Sequence, residues 1–198
     1  MLLLMLLACG RGEDSAAPAP LTCTERFSGS APATEADIVA LVASARAGFF
    51  PTLGALSLEV GTMESADSYF VANLDLATIS EAPLERDYRV LYSPVLFADP
   101  PDRMAVGAIL VHELKHVLDY TALEADALVE FGLWYASGDD ISDYEKQTDE
   151  YALESGCAAG LSAYREWVYA HIPEEDLQEK QETYYTPAEI AAWVAENE

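Results

Sequence analysis

His112-Glu113-Leu114-Lys115-His116 lies inside the apolar run Met104–Tyr120, and the reading of the whole chain turns on it. The run predicts a buried helix. On a helix, residues four apart lie on one face, one turn above the other. His112 and His116 can therefore aim two imidazole nitrogens at one point, and Glu113, the next residue round the helix, borders that point. Two neutral imidazoles beside a carboxylate suit a divalent zinc ion and the water it carries. The pattern alone is a weak signal. Here, however, the chain has 3 histidines, and two of them sit in this apolar run. Buried there without a metal, each would need a hydrogen-bond partner of its own.

Two histidines leave such a site one protein ligand short, because a catalytic zinc takes three and keeps the fourth position open. His171 is far downstream, so a carboxylate is the better candidate. The segment Glu145-Lys146-Gln147-Thr148-Asp149-Glu150-Tyr151-Ala152 offers Glu145 and Asp149 one helical turn apart. Ala152 and Gly156 continue that face with small side chains, which lets a second helix come close to the first. Glu145 is then the third ligand, and Asp149 can accept a hydrogen bond from a ligand histidine and fix its tautomer. Other roles stay open at this point. Ser142-Asp143-Tyr144-Glu145 is a capping box, so the alternative role of Glu145 is to close its own helix, although Asp140 offers a cap one turn earlier. Glu150, Glu154, Glu124 and Asp126 are alternative ligands, and Asp149 could lie on a solvated face. Asp119 either orients His116 or sits at a surface helix end. Lys115 reads as solvent-facing, and Tyr164, Trp167 and Tyr169 as core.

The rest of the chain shows no internal repeat. Thr34-Glu35-Ala36-Asp37 is a capping signature, followed at helical spacing by Ile38, Leu41, Val42 and Ala45 and ended by Gly48 and Pro51. Ala55–Thr62, Tyr69–Leu76 and Tyr88–Tyr92 read as strands by alternation and composition, with a loop at Ile79–Asp87. Asp99 and Pro100 suggest the start of the central helix. Helical segments are then expected at Ala122–Ala136 and from Ser142 to His171, bent or closely approached at Gly156 and Gly160. Glu174–Tyr185 reads as an acidic loop, and Thr186-Pro187-Ala188-Glu189 opens a final helix. The order is helix, three strands, then helices. That is an α+β class, with a small mixed sheet packed on the central helix and a helical C-terminal half.

HELKH followed by a helix carrying ExxxD resembles the gluzincins, the thermolysin-like zinc metallopeptidases. Arg89–Asp99 is also similar to the edge strand and approach segment of small gluzincin cores. The resemblance covers roughly Ala55–Tyr169 and is specific at the two helices. It implies a zincin-like fold and a peptidase acting on peptide or protein substrates. It makes His112, His116 and Glu145 the zinc ligands, Glu113 the general base and Asp149 the partner of His112. It also implies a Tyr or His downstream of the third ligand that stabilises the oxyanion; His171, Tyr184 and Tyr185 are the candidates. The interval from His116 to Glu145 is longer than in the shortest family members, and its extra helix can shape or cover the cleft.

At the N-terminus, residues 1–8 are almost wholly apolar and end Leu6-Leu7-Ala8 before Cys9. They are too short to span a bilayer. They resemble the lipobox of a bacterial lipoprotein signal peptide, without its usual basic start. The resemblance implies acylation of Cys9, residues 9–20 as a flexible tether, one domain over residues 21–198, and a place at the cell envelope, with the lipid as the sole membrane contact. With Cys9 acylated, Cys23 and Cys157 remain as an even pair, either disulfide-bonded in an oxidising compartment or buried as two thiols. The net charge of −25 would repel phosphates and argues against a nucleic-acid partner. The chain reads as a monomer. A second reading is a zincin-like lipoprotein that binds metal or acts as a scaffold without turnover. Metal storage fits poorly, since no His- or Cys-rich tract is present.

Overall fold

The computed structural model describes residues 21–65, 68–138 and 141–197. The signal-like segment, Cys9, the tether and Asp140 lie outside the described residues. Helix α3, Arg103–Thr121, is the axis of the fold. Its residues 105–114 are buried without interruption, as are His116 and Val117. A helix apolar on all sides must be covered on all sides. The covers are α2 (Glu35–Phe49), α5 (Ile141–Glu154), α6 (Ala158–His171), the short α1 (Cys23–Arg26) and one strand of a small sheet. Glycine permits two of these approaches. A Cβ on Gly160 would stand 2.6 Å from the Met104 carbonyl oxygen, and one on Gly107 would run into the Phe27 ring.

The sheet has three strands, β1 (Ser57–Thr62), β2 (Phe70–Leu74) and β3 (Asp87–Tyr92), in the order β1-β3-β2. β1 runs parallel to β3, and β2 antiparallel. The sheet is therefore mixed and the class is α+β, with most of the chain helical. Alternation places Tyr88, Val90 and Tyr92 in the core. β3 is the central strand, with a partner on each side. The expectation that Arg89–Asp99 begins with an edge strand is thus corrected: β2 lies at the edge, and it is β2 that packs along α3.

Capping and glycine chemistry set the helix boundaries. Thr34 and Asp37 form the expected capping box of α2. The central helix begins at Arg103 rather than near Asp99, since two successive prolines, Pro100 and Pro101, precede it. Asp99 instead pairs with His171 at 3.0 Å, and its carbonyl accepts the Trp167 indole N–H. The long helix expected from Ser142 to His171 is two helices. Gly156 takes φ 74°, where it ends α5: the N–H groups of Gly156 and Cys157 bond back to the carbonyls of Leu153 and Ala152. The segment expected as an acidic loop is helix α7, Glu174–Thr183. It buries no residue, so it lacks the apolar period that reveals a helix. Three acids in its first turn and Lys180 in its last complement the helix dipole.

Helix α4 (Ala125–Ser137) follows α3, and α8 (Pro187–Asn197) closes the chain, with Thr186 and Glu189 capping each other at its start. Cys23 and Cys157 are disulfide-bonded, with Cα atoms 5.1 Å apart across a sequence separation of 134 residues. The bond ties α1 to the start of α6, and both helices pack on α3. No described helix is long and apolar enough to cross a membrane.

Candidate metal centre

α3 presents His112 and His116 on one face, and α5 presents Glu145 to them. His112 Nε2 and His116 Nε2 are 3.1 Å apart. Glu145 Oε2 lies 3.2 Å from the first and 3.5 Å from the second. Glu145 Oε2 is buried and makes no hydrogen bond of its own. Three electron-rich atoms thus face one another, where lone pairs would repel unless a proton or cation lies between them. Tetrahedral coordination at bonds of about 2.0–2.1 Å requires ligand atoms about 3.3 Å apart, which is the size of this triangle. Among the described residues this is the one group of histidines, cysteines and carboxylates arranged to hold a metal ion.

Charge points the same way. The buried charged residues around the triangle are Glu113, Glu145 and Asp149, against Arg165. Three carboxylates and one guanidinium leave two negative charges out of water, which is costly unless they are matched. A divalent cation matches them. Without one, protons must serve. Burial alone would depress the His112 pKa, but Asp149 and Glu145 overcome burial and hold it up at about 10. Burial pushes Glu145 upward, and the two histidines facing it outweigh this and hold it well below the usual carboxylate range. Asp149 is lowered in the same way, by Arg165 first and then His112, against its burial.

Each histidine has an orienting partner on its other ring nitrogen. His112 Nδ1 lies 2.8 Å from Asp149 Oδ1. The same oxygen accepts from Arg165 at 2.7 Å, and Oδ2 accepts the Tyr185 backbone N–H at 3.0 Å. His116 Nδ1 lies 2.9 Å from the Tyr144 hydroxyl, and that hydroxyl lies 3.4 Å from Asp119. Asp119 therefore reaches His116 through Tyr144. Lys115 does not simply face solvent: it pairs with Asp119 and lies over the Tyr151 ring. Glu145 is supported as well, its Oε1 accepting from the Tyr135 hydroxyl at 2.7 Å.

The capping alternative for Glu145 does not fit this geometry. α5 begins at Ile141, which puts Ser142 inside the first turn, and the Glu145 carboxylate points at the histidines. Glu150 accepts from the Tyr185 hydroxyl instead, and Glu124, Asp126 and Glu154 are exposed. Glu113 lines a small pocket over the site together with His112, Tyr164, Arg165 and Tyr184. Its Oε2 accepts the Ala72 N–H of β2 at 2.7 Å.

Of the three downstream candidates, Tyr184 faces the site, its ring 5.9 Å from that of His112. Burial, followed by the nearby Glu145, raises its pKa well above the ordinary value, so its hydroxyl keeps its proton and stays a donor. Tyr185 is engaged by Glu150, and His171 by Asp99 and the Trp167 carbonyl. Tyr164 is buried as expected, but it also borders the pocket. Sequence reasoning missed Arg165, Tyr144 and Tyr135. Tyr144 precedes the ligand and Arg165 lies sixteen residues past Asp149, and neither position has a spacing rule that singles it out.

No protein-family model, no curated protein and no solved structure matches this chain.

Proposed function

We propose that the chain is a zinc-dependent peptidase with a zincin-like core, anchored at a bacterial cell envelope by lipid on Cys9. The observation that carries this reading is the buried triangle of His112 Nε2, His116 Nε2 and Glu145 Oε2, with Glu113 beside it. Two imidazoles and one carboxylate are the donor set of a catalytic rather than a structural zinc site, since they leave a position open. Bound there, zinc lowers the pKa of a water and polarises a carbonyl oxygen. The remaining work falls to the chain's own groups. Asp149 and Tyr144 hold the two imidazoles in orientation. Glu113 takes a proton from the attacking water and hands it to the leaving amine. The backbone N–H of Ala72 holds one oxygen of that carboxylate, leaving the other for the proton. Tyr184 donates a hydrogen bond to the developing oxyanion. The disulfide supports a place outside the reducing cytosol.

The contact of Glu113 with Ala72 also favours a second reading, in which Glu113 is a structural link and the protein binds metal without turnover. One set of measurements decides. Purified wild type is expected to carry one zinc per chain and to cleave casein or a peptide library. His116→Ala should lose the metal. Glu113→Gln should keep the metal and lose cleavage by about a thousandfold, the range of general acid–base catalysis. Stoichiometric zinc in His116→Ala would overturn the site. Glu113→Gln cleaving as fast as wild type would overturn the mechanism.

A further inference from the structure

The small pocket over the metal triangle has cations in its lining. Arg165 and Lys180 both border it, together with His112, Glu113 and Tyr184. The whole chain has 10 Lys+Arg against 35 Asp+Glu, so two cations around one pocket of about 40 Å³ need a cause. Both lie over the Tyr184 ring, the Arg165 guanidinium carbon 4.3 Å and the Lys180 Nζ 5.8 Å from its centroid. Like charges held against one ring repel unless anions answer them. Asp149 answers Arg165 through Nη2. The chain's other two lysines also have acids, Asp119 for Lys115 and Glu189 for Lys146. Among the described residues Lys180 has no such ion pair. A cation in the last turn of α7 suits the helix dipole, but the dipole does not require that it border the pocket.

The charges and the space define what fits. Zinc on the triangle balances Glu113, Glu145 and Asp149 against Arg165, which leaves Lys180 as the unmatched charge. Arg165 is buried, and its Nε has no hydrogen-bond partner, an unmade bond that is costly in the free protein. A single water needs roughly 10–15 Å³, so about 40 Å³ holds a few waters or one planar carboxylate, but no bulky side chain. Arg165 Nη2 and His112 Nδ1 share Asp149 Oδ1, at 2.7 and 2.8 Å. The guanidinium thus stands two hydrogen bonds from a metal ligand. An extended peptide advances about 3.3–3.6 Å per residue, so a chain with its cleaved carbonyl at the metal reaches these cations within one or two residues.

We infer that Arg165 and Lys180 hold the free C-terminal carboxylate of a peptide, and that the protein trims one or two residues from chain ends. The inference deepens the peptidase reading, on which the position of a cleaved bond rests, and it names the substrate class: peptides with an unblocked C-terminus. Arg165 supplies a planar donor and Lys180 a point charge. Hydrolysis there breaks the C–N bond. The water's oxygen joins the new carboxyl group, and its proton passes through Glu113 to the amine of the departing residue. That residue's own carboxylate stays on the two cations until release.

The test has a binding arm and a cleavage arm. Acetyl-Ala-Ala with a free carboxylate, and the same peptide as its amide, are titrated by calorimetry into zinc-loaded Glu113→Gln and into zinc-free wild type. Neither protein should turn them over. The acid is expected to bind about tenfold more tightly than the amide in both, the scale of hydrogen bonds between charged groups. Lys180→Gln should cut that preference to about threefold or less and leave binding of the amide unchanged, and Lys180→Arg should restore it. Equal binding of acid and amide would overturn the inference. A preference that appears only with zinc, or that survives Lys180→Gln, would place the carboxylate on the metal and overturn it as well. In the cleavage arm, zinc-loaded wild type should release one or two residues from the C-terminus of free-acid peptides, and cut their amides at least about tenfold more slowly. Equal cutting of amides and of internal bonds overturns the inference and leaves the peptidase reading standing. Acid-selective binding that depends on Lys180, without cleavage of any peptide, overturns the peptidase reading and leaves a carboxylate-binding site.

Discussion

Helices α3 and α4 are neighbours in the chain, and both reach the metal centre, but they are held in very different ways. α3 is buried over almost its whole length and places its two histidines from within the core. α4 buries only Leu128. It meets the site through aromatic side chains, Phe131 and Tyr135 against Tyr120 and Tyr144, and leaves Val129 and Leu133 in water. Metal ligands need fixed positions, and the core supplies them. A helix that buries a single residue is held by few contacts and opens at lower free energy. Perturbing the packing of α3 should therefore cost stability and metal together, whereas changes in α4 should cost little stability.

The disulfide gives the largest expected effect. It ties α1 to α6, both packed on α3, across a separation of 134 residues. Replacing both cysteines, Cys23→Ser with Cys157→Ser, is expected to lower unfolding free energy by about 4–5 kcal/mol through loss of loop-closure constraint. Urea denaturation measures this, and an unchanged midpoint would contradict the clamp. Asp149→Asn comes next. The amide keeps an oxygen for His112 and Arg165 but removes the charge that makes His112 a good donor. Zinc affinity should fall about 10–100-fold, the usual cost of losing such a partner, as read by competition with a chelator.

The same substitution made in both helices' surroundings should have opposite signs. Gly160→Ala puts a methyl 2.6 Å from the Met104 carbonyl, a backbone atom of α3 that cannot swing away. Overpacking of this kind costs about 1–3 kcal/mol, against about 1 kcal/mol gained from alanine's helix propensity. The net should be a loss of up to about 2 kcal/mol. Gly132→Ala in α4 meets nothing and should gain up to about 1 kcal/mol. Thermal melts of the two variants test the sign directly; two shifts in the same direction would break the contrast.

How much of this was legible in the sequence depends on what kind of force made each feature. The His112–His116 face and α2 follow from period and capping, which are local, and the structure has both. The pairing of Glu145 with the histidines rested on one turn of spacing and small residues, and the geometry brings those atoms together. The strand order was not legible. The resemblance implies that β3 is an edge strand, but pairing partners are set by tertiary packing that alternation does not encode, and β3 is central. α7 was hidden because it has no apolar face. The break at Gly156 was visible only as a glycine that could bend a helix, and its positive φ decides that it ends one. Arg165 and Tyr144 reach the histidines across helix–helix contacts, and no spacing within one segment announces such contacts.

The smallest predicted effect falls where the two helices meet. Tyr135 carries a hydrogen bond from α4 to the ligand set, to Glu145 Oε1. Its hydroxyl is a donor at every working pH, because burial, then Tyr184 and Glu145, push its pKa far above the ordinary value. Tyr135→Phe removes that donor and keeps the ring packed on Phe131 and Tyr144. If α4 only covers the site, the cost is one hydrogen bond to a charged group, about 1.5–3 kcal/mol at most when fully buried. Tyr135 is only half-buried, so water can replace the lost donor in part and the cost should fall to about 1 kcal/mol. Zinc affinity should drop about fivefold, with the melting temperature unchanged within the noise of a surface substitution. A drop as large as that of Asp149→Asn would mean that α4 positions Glu145 as firmly as the core positions the histidines, and the division of labour between the two helices would not hold.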